Sequence, residues 1–379
     1  MTQETILQLQ KMSTFCQFKK DEYICHEGEP GNEMYIILKG SIGIYLTNFF
    51  GNLTQVANIG EGDFFGEMAI FDNQPRSASC IAMEDTLCVA INKENLREFF
   101  VNCPDLAERV VANMSKRIRH MNDELYKNAF VPKKQRALKF TIPSAYAFSH
   151  TAQEPYQDPR YCSDTEHTCP LCLETFSVKK FRRHAMEVRE ITMDGKVEYV
   201  GGNPLWHEVY SCPHCHYSNH HLTFFQVNAG NEELIRRTLE KDQLPVIGAS
   251  NKKAPFDRLV QRYLQAIHLN EVINRREYVG IGMLWMNLYR LSREVEDDRF
   301  AKYCAQRAVK KFRTVLDAGQ ISDAADRGKA ALALVNLLEY LELDQDDIPE
   351  YCAIAESCGD AGVKKCIQAF QAMLNGEEE

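Results

Sequence analysis

Between Gly62 and Ser79 the chain reads GDFFGEMAIFDNQPRSAS, which sets a carboxylate, Glu67, a short distance before a guanidinium, Arg76. A carboxylate only accepts hydrogen bonds and suits donors such as the hydroxyls of a ribose. A guanidinium presents a planar fork of N–H donors that matches phosphate oxygens. Gly66 lacks the Cβ that would hold an anion away from the backbone, and Met68-Ala69-Ile70-Phe71 is long enough for one helical turn before Asn73-Gln74-Pro75 breaks it. The first N–H groups of such a turn have no intrahelical partners and favour negative charge. The pattern therefore fits a ligand that carries both hydroxyls and a phosphate. The plainer alternative is a surface ion pair between Glu67 and Arg76, which would contribute little to stability.

A second chemistry stands further along, in Cys169-Pro170-Leu171-Cys172 and Cys212-Pro213-His214-Cys215. Two thiolates separated by two residues fit one tight knuckle whose backbone N–H groups point at sulfur, and two knuckles complete a tetrahedron around Zn2+. A closed four-sulfur site is structural, so the metal ligands expected are Cys169, Cys172, Cys212 and Cys215. His167, His184, His207, His214, His216, His220 and His221 crowd the same region. They form no His-Glu-x-x-His or His-x-Glu signature, and the chain is not expected to be an enzyme. The run Lys179-Lys180-Phe181-Arg182-Arg183-His184 is basic with an aromatic inside it, but a net charge of −9 argues against a broad nucleic-acid footprint.

The elements that must hold these groups differ along the chain. Gly28-Glu29-Pro30-Gly31 is a turn cluster, and Met34 to Leu46 is β-prone and cut by Gly40 and Gly43, the pattern of a β-roll or barrel. Leu106, Val110, Met114, Ile118, Met121 and Leu125 recur at helical spacing. That stripe fits packing on the β-roll and a two-helix dimer seam equally well. Prolines and polar residues over 128–160 mark a linker. Ala185 to Arg189 and Val197 to Val200 read as a hairpin around Asp194-Gly195. From about Asn231 the apolar spacing is helical, as in Leu259, Tyr263 and Ile267, with Ser322 or Asp323 placed to cap a later helix. Gly282 to Arg290 and Ala301 to Ala308 read as a helix pair. No DNA-reading helix-turn-helix follows the first module.

With 379 residues, of which 45% are hydrophobic, the chain is long enough for several cores. No apolar run approaches the roughly 18 residues of a membrane span, and the N-terminus lacks an export signal. The expectation is a cytoplasmic protein whose cysteines are reduced, with Cys25, Cys80 and Cys88 filling core space.

Phe65-Gly66-Glu67-Met68-Ala69 and Pro75-Arg76-Ser77-Ala78 closely resemble the phosphate-binding cassette of cyclic-nucleotide-binding domains, over about residues 10–127. The resemblance implies that Glu67 takes the ribose 2′-hydroxyl and Arg76 the cyclic phosphate. Gly66, Met68 and Ala69 would serve through their backbone, and Ser77 would add a hydroxyl. It also implies a homodimer through the helix at 104–127, with Asn113 and Arg117 near a purine edge. The paired Cys-Pro-x-Cys motifs, Gly202-Asn203-Pro204-Leu205 and the Trp285 helix pair resemble an uncharacterised bacterial domain family over about 160–350. That family implies bound zinc but supplies no mechanism. Trp285, Leu288 and Tyr289 with Ala301, Ala305 and Ala308 are similar to a tetratricopeptide unit, which implies a groove for a protein partner; the alternative is a plain helical bundle that caps the zinc module.

The expected architecture is multi-domain. A β-roll (jelly-roll-like) with flanking helices spans 1–127, a linker 128–160, a zinc-ribbon-like module 161–228 and an all-α, helical-repeat-like region 229–375. The expected function is a cyclic-nucleotide sensor, favouring cAMP over cGMP, that signals through the zinc and helical region to a protein partner. The alternative is a nucleic-acid-binding regulator acting through the zinc module.

Overall fold

In Met34-Tyr35-Ile36-Ile37 every position is apolar or aromatic, so a strand through it has to bury both faces. The computed structural model describes residues 13–48, 51–72, 75–104, 106, 108–115, 142–146, 150, 152–227, 229–242, 255–273 and 278–374. They fall into two compact units, one within 1–129 together with 180–184, the other within 130–179 and 185–379.

The N-terminal unit opens with β1 (Thr14–Phe18), β2 (Tyr23–Cys25), β3 (Glu33–Lys39), β4 (Ser41–Thr47) and β5 (Leu53–Gly60). Next come β6 (Phe64–Phe65), α1 (Glu67–Asp72), β7 (Ser79–Ala82), β8 (Thr86–Asn92) and α2 (Leu96–Asn102). Two antiparallel four-stranded sheets result, in the orders β1-β8-β3-β6 and β2-β7-β4-β5. Side chains alternate across a strand. Accordingly Tyr35 and Ile37 of β3, with Cys88 and Ala90 of β8, face a core that also holds Ile42, Cys80 and Ala82 of the second sheet. Met34, Ile36, Val89 and Ile91 face a second core with Phe99 of α2, Leu106 and Val110. Each fully buried isoleucine stabilises the fold by about 2 kcal/mol. This is the expected β-roll with helices on one face, and the expected core positions of Cys25, Cys80 and Cys88 are met. Of the long helical stripe, Ile118, Met121 and Leu125 lie outside the described residues.

In the C-terminal unit β9 (Cys162–Thr168) pairs with β10 (Thr175–Phe181), β11 (Val188–Ile191) with β12 (Val197–Tyr199), and β13 (Val209–Ser211) with β14 (Ser218–His220). The hairpin around Asp194-Gly195 forms as expected, its strand starting slightly later because a short 3-10 turn occupies Arg183–Ala185. Cys169, Leu171, Phe176, Tyr210, Cys212, Tyr217 and Phe224 make one core, closed by Ile235 and Leu269 from the helices.

Those helices are α3 (Ala229–Asp242), α4 (Pro255–Ile273), α5 (Tyr278–Glu294), α6 (Asp298–Asp317), α7 (Ala324–Leu341), α8 (Ile348–Glu356) and α9 (Ala361–Leu374). From α5 onward each packs on the next. Ala301, Ala305 and Ala308 are fully buried on α6, and small residues there let α5 approach closely. Asp323 is the cap of α7, its side chain accepting from Asp326 N–H. Among the described residues, no helix is long and apolar enough to cross a membrane.

Candidate functional site

The cassette begins where β6 hands over to α1, at Gly66, whose φ of +77° lies in the region that favours glycine. Arg76 is buried beneath this turn, at 6% exposure. Its Nη1 donates to the carbonyls of Glu33 (2.6 Å) and Gly66 (3.0 Å), and its guanidinium lies 5.8 Å from the centre of the Tyr35 ring. Backbone bonds fix its position, Arg76 N–H to Glu29 carbonyl at 2.7 Å and Gly28 N–H to Arg76 carbonyl at 2.8 Å. Tyr35 is itself locked, stacked on Phe65 and donating its hydroxyl to Glu33 at 2.7 Å. Burial, then that carboxylate, pushes the phenol well above its ordinary value.

The Nε of Arg76 is shut off from solvent and has no hydrogen-bond partner. A donor in that condition is costly. It lies against the backbone of Gly31, where an added Cβ would stand 2.4 Å away. Glu67 and Ala69 are buried, Met68 is exposed, and the Ser77 hydroxyl lies 3.4 Å from the sulfur of Met68. The fold therefore gathers Gly66, Glu67, Met68, Ala69, Arg76 and Ser77 around one short turn. Asn113 is committed elsewhere, donating to Asp63 at 3.3 Å, and Arg117 lies outside the described residues.

Two contributors were not singled out from sequence. Gly31, read only as a turn glycine, is the floor under Arg76, and Glu33 supplies a main-chain oxygen that no motif encodes.

The four cysteines converge with their sulfurs within 4.8 Å of one another. Cys169 and Cys215 stand 3.5 Å apart, as do Cys172 and Cys212. That is far beyond a disulfide bond of about 2.05 Å. It is near the edge, about 3.8 Å, of a tetrahedron built on Zn–S bonds of about 2.3 Å. Each pair sits at a hairpin tip, between β9 and β10 and between β13 and β14, and the two tips are built alike. Leu173 N–H donates to Cys169 carbonyl at 3.0 Å and Cys169 N–H to Glu174 carbonyl at 2.9 Å. His216 N–H and Cys212 N–H repeat this at 3.0 and 2.9 Å, to Cys212 and Tyr217. Leu173 and His216, each following the second cysteine of its pair, share left-handed φ values of 64° and 63°. A hydrogen bond from Cys215 pulls the Cys169 thiol down to about 5 against burial, helped by the N–H groups of Cys172 and Leu171. The donor set thus has the type and spacing that zinc needs.

A second convergence joins Glu208, His220 and His221. Leu222 N–H donates to His220 Nδ1 at 3.2 Å, so Nε2 carries the ring proton and donates it to Glu208 Oε2 at 2.8 Å. His221 Nδ1 lies 3.2 Å from the same oxygen. With both nitrogens of His220 engaged, the three side chains form a hydrogen-bonded triad.

The model of a family described as an uncharacterized protein conserved in bacteria (DUF2225) matches residues 162–361, more than half of the chain. The chain belongs to that family. Both cysteine pairs and the Glu208 triad lie inside the DUF2225 region. Residues 15–103, with Glu67 and Arg76, match the cyclic nucleotide-binding domain family. Over 131 residues the chain is 28% identical to the CRP-like cAMP-activated global transcriptional regulator of Mycobacterium tuberculosis, covering 35% of this chain and 58% of that protein. Over 102 residues it is 31% identical to the Cyclic AMP receptor protein of Thermus thermophilus, covering 27% and 47%. The DUF2225 chain thus spans about half the length of these relatives. Among solved structures it is similar to the Thermus thermophilus Catabolite Activator Protein, at 26% identity and a TM-score of 0.31, covering 33% of this chain and 59% of that one.

Proposed function

We propose that the N-terminal unit binds a cyclic nucleotide, cAMP in preference to cGMP, and that binding changes what the DUF2225 region offers to a protein partner. The observation that carries this reading is the buried guanidinium of Arg76, held against Gly66 with its Nε unsatisfied. In the bound state Arg76 pairs with the cyclic phosphate and Glu67 accepts from the ribose 2′-hydroxyl, with Gly66, Met68 and Ala69 contributing backbone and Ser77 a hydroxyl. The preference for cAMP is supported by the relatives, whose names specify cAMP.

On this reading Cys169, Cys172, Cys212 and Cys215 hold one Zn2+, which pins two hairpin tips together and has no open position for chemistry. Helices α5 to α9 present the partner surface in the manner of stacked helix pairs, and two copies associate through the segment 104–127. Ligand shifts such a system only by binding one of its states more tightly than the other.

Calorimetric titration of the purified chain with cAMP and with cGMP, beside Arg76→Ala, tests the reading. Saturable binding of cAMP, tighter than that of cGMP and abolished in the folded variant, is expected. Wild-type affinity in Arg76→Ala would overturn the cassette assignment, and absence of binding by both nucleotides would overturn the function.

A further inference from the structure

His26 and Glu29 stand on the turn that follows β2, and His184 lies in the 3-10 turn Arg183–Ala185, where residues 180–184 are part of the N-terminal unit. His184 Nε2 lies 3.0 Å from Glu29 Oε1, and the rings of His26 and His184 stack 4.1 Å apart. One ligand atom from each residue, two imidazole nitrogens and a carboxylate oxygen, falls within 4.8 Å of the other two. In a tetrahedral zinc site with bonds of about 2.1 Å such atoms stand about 3.4 Å apart, so the three groups are close to the spacing an ion requires.

The turn itself holds two of the three groups in place. His26 N–H donates to Glu29 Oε2 at 2.8 Å and Glu29 N–H to the His26 carbonyl at 3.2 Å, so one carboxylate oxygen is anchored while the other faces His184. The His26 ring is held between Tyr23, stacked on it at 4.4 Å, and His184. Among the described residues no hydrogen bond reaches either ring nitrogen of His26. The Glu208 triad differs, because both nitrogens of His220 are engaged there. A neutral imidazole keeps a lone pair on one nitrogen and a carboxylate keeps several, so all three residues can ligate. The His184 and Glu29 side chains are 29% and 33% exposed, which gives an ion access from solvent.

We propose that His26, Glu29 and His184 bind a divalent transition ion, Zn2+ in preference to Mg2+ or Ca2+, at a site distinct from the four cysteines. Imidazole suits zinc and its neighbours, whereas the harder cations take oxygen donors. In the bound state His184 carries its proton on Nδ1, so that the Nε2 lone pair faces the ion, and the nearly parallel rings, 9° apart, turn toward it. Three protein ligands leave a further position to water. The site does not depend on nucleotide binding.

Calorimetric titration of the full chain with Zn2+, its four cysteines already loaded with zinc, provides the test. One further equivalent should bind saturably, and Mg2+ at equal concentration should not displace it. His184→Ala and Glu29→Gln should each weaken this binding about tenfold or more, and so should His26→Ala, which keeps the N–H that anchors Glu29. Co2+ in the same titration should give visible bands without a near-ultraviolet sulfur-to-cobalt band, which separates this site from the thiolates. Arg76→Ala should leave the titration unchanged, so that this proposal and the nucleotide assignment fail separately. The proposal is overturned if no further equivalent binds, if His184→Ala and Glu29→Gln bind it like wild type, or if a sulfur band accompanies the added Co2+.

Discussion

The Cβ that Gly66 lacks would stand 2.4 Å from Nη1 of Arg76, and the one Gly31 lacks would stand 2.4 Å from Nε of the same side chain. Two glycines from different turns therefore carve the slot in which the guanidinium lies. Gly31→Ala is predicted to displace Arg76 without backbone strain, because only Gly66 of the two has positive φ. Nucleotide affinity should fall about tenfold or more, the loss of a charge-assisted hydrogen bond or two, with a drop in melting temperature that reflects overpacking alone. Gly66→Ala should lose the affinity and also about 1–2 kcal/mol of stability, from a left-handed residue that now carries a Cβ. Calorimetry and thermal unfolding on the two variants check the split, and equal melting temperatures would contradict it.

The paired hairpin tips lead to a prediction about metal. A strong chelator should release about one zinc per chain, and because such binding contributes on the order of 10 kcal/mol to folding, the segment around 162–225 should open. Limited proteolysis, with zinc release followed by a chromogenic chelator, would show new cleavage in that segment. The N-terminal β-roll should stay resistant. Cys212→Ser should behave like the chelated protein, and a metal-free chain with an unchanged cleavage pattern would exclude the structural role.

Which parts of this were legible in the sequence follows from the range of the interactions. The β-roll was legible because Met34 to Leu46 carries its apolar run and turn glycines within one short window. The helices after Pro255 were legible because apolar spacing repeats along each of them, and the Asp323 cap announces itself locally. The placement of the cysteine pairs at hairpin tips was not. Strand β9, CSDTEHT, shows no apolar alternation, and β13 and β14 are too short to display a period. The role of Gly31 depends on Arg76, far along the chain, and the pairing of Asp194 with Arg290 spans a longer stretch still. A one-dimensional pattern does not encode such contacts.

Gly328, inside α7, offers a test of packing alone. In an exposed helix interior, exchanging glycine for alanine would stabilise by about 1 kcal/mol. Here an added Cβ would meet the Cβ of Cys358 at 2.3 Å and its sulfur at 2.5 Å. Gly328→Ala is therefore expected to destabilise by about 1–3 kcal/mol, the usual cost of overpacking. Denaturant unfolding would decide, and a stabilised variant would mean that α7 and the end of α8 separate easily.

The last prediction concerns acid stability, where Asp194 of the β11–β12 turn meets Arg290 of α5. Arg290 Nε donates to Asp194 Oδ2 at 2.7 Å and its Nη2 to the Asp194 carbonyl at 2.8 Å, while Thr192 hydroxyl and Lys196 N–H also donate to the carboxylate. Burial by itself would raise the carboxyl pKa, but Arg290 and these hydrogen bonds outweigh it and hold the value below the ordinary 3.8. A carboxyl depressed by folding contributes stability that is complete above its unfolded pKa and disappears as pH falls through the folded one. Both side chains are mostly buried, so Asp194→Asn at pH 7 should cost about 3 kcal/mol by leaving Arg290 unmatched. As the pH drops below about 4 the unfolded chain takes up the proton that the folded carboxyl still refuses, so the wild type loses this contribution progressively and the gap between the two proteins should narrow. Urea unfolding of both at pH 7, 5 and 3.5 measures that gap directly, and a gap that stays constant would show that the Asp194 charge does not hold the hairpin to α5.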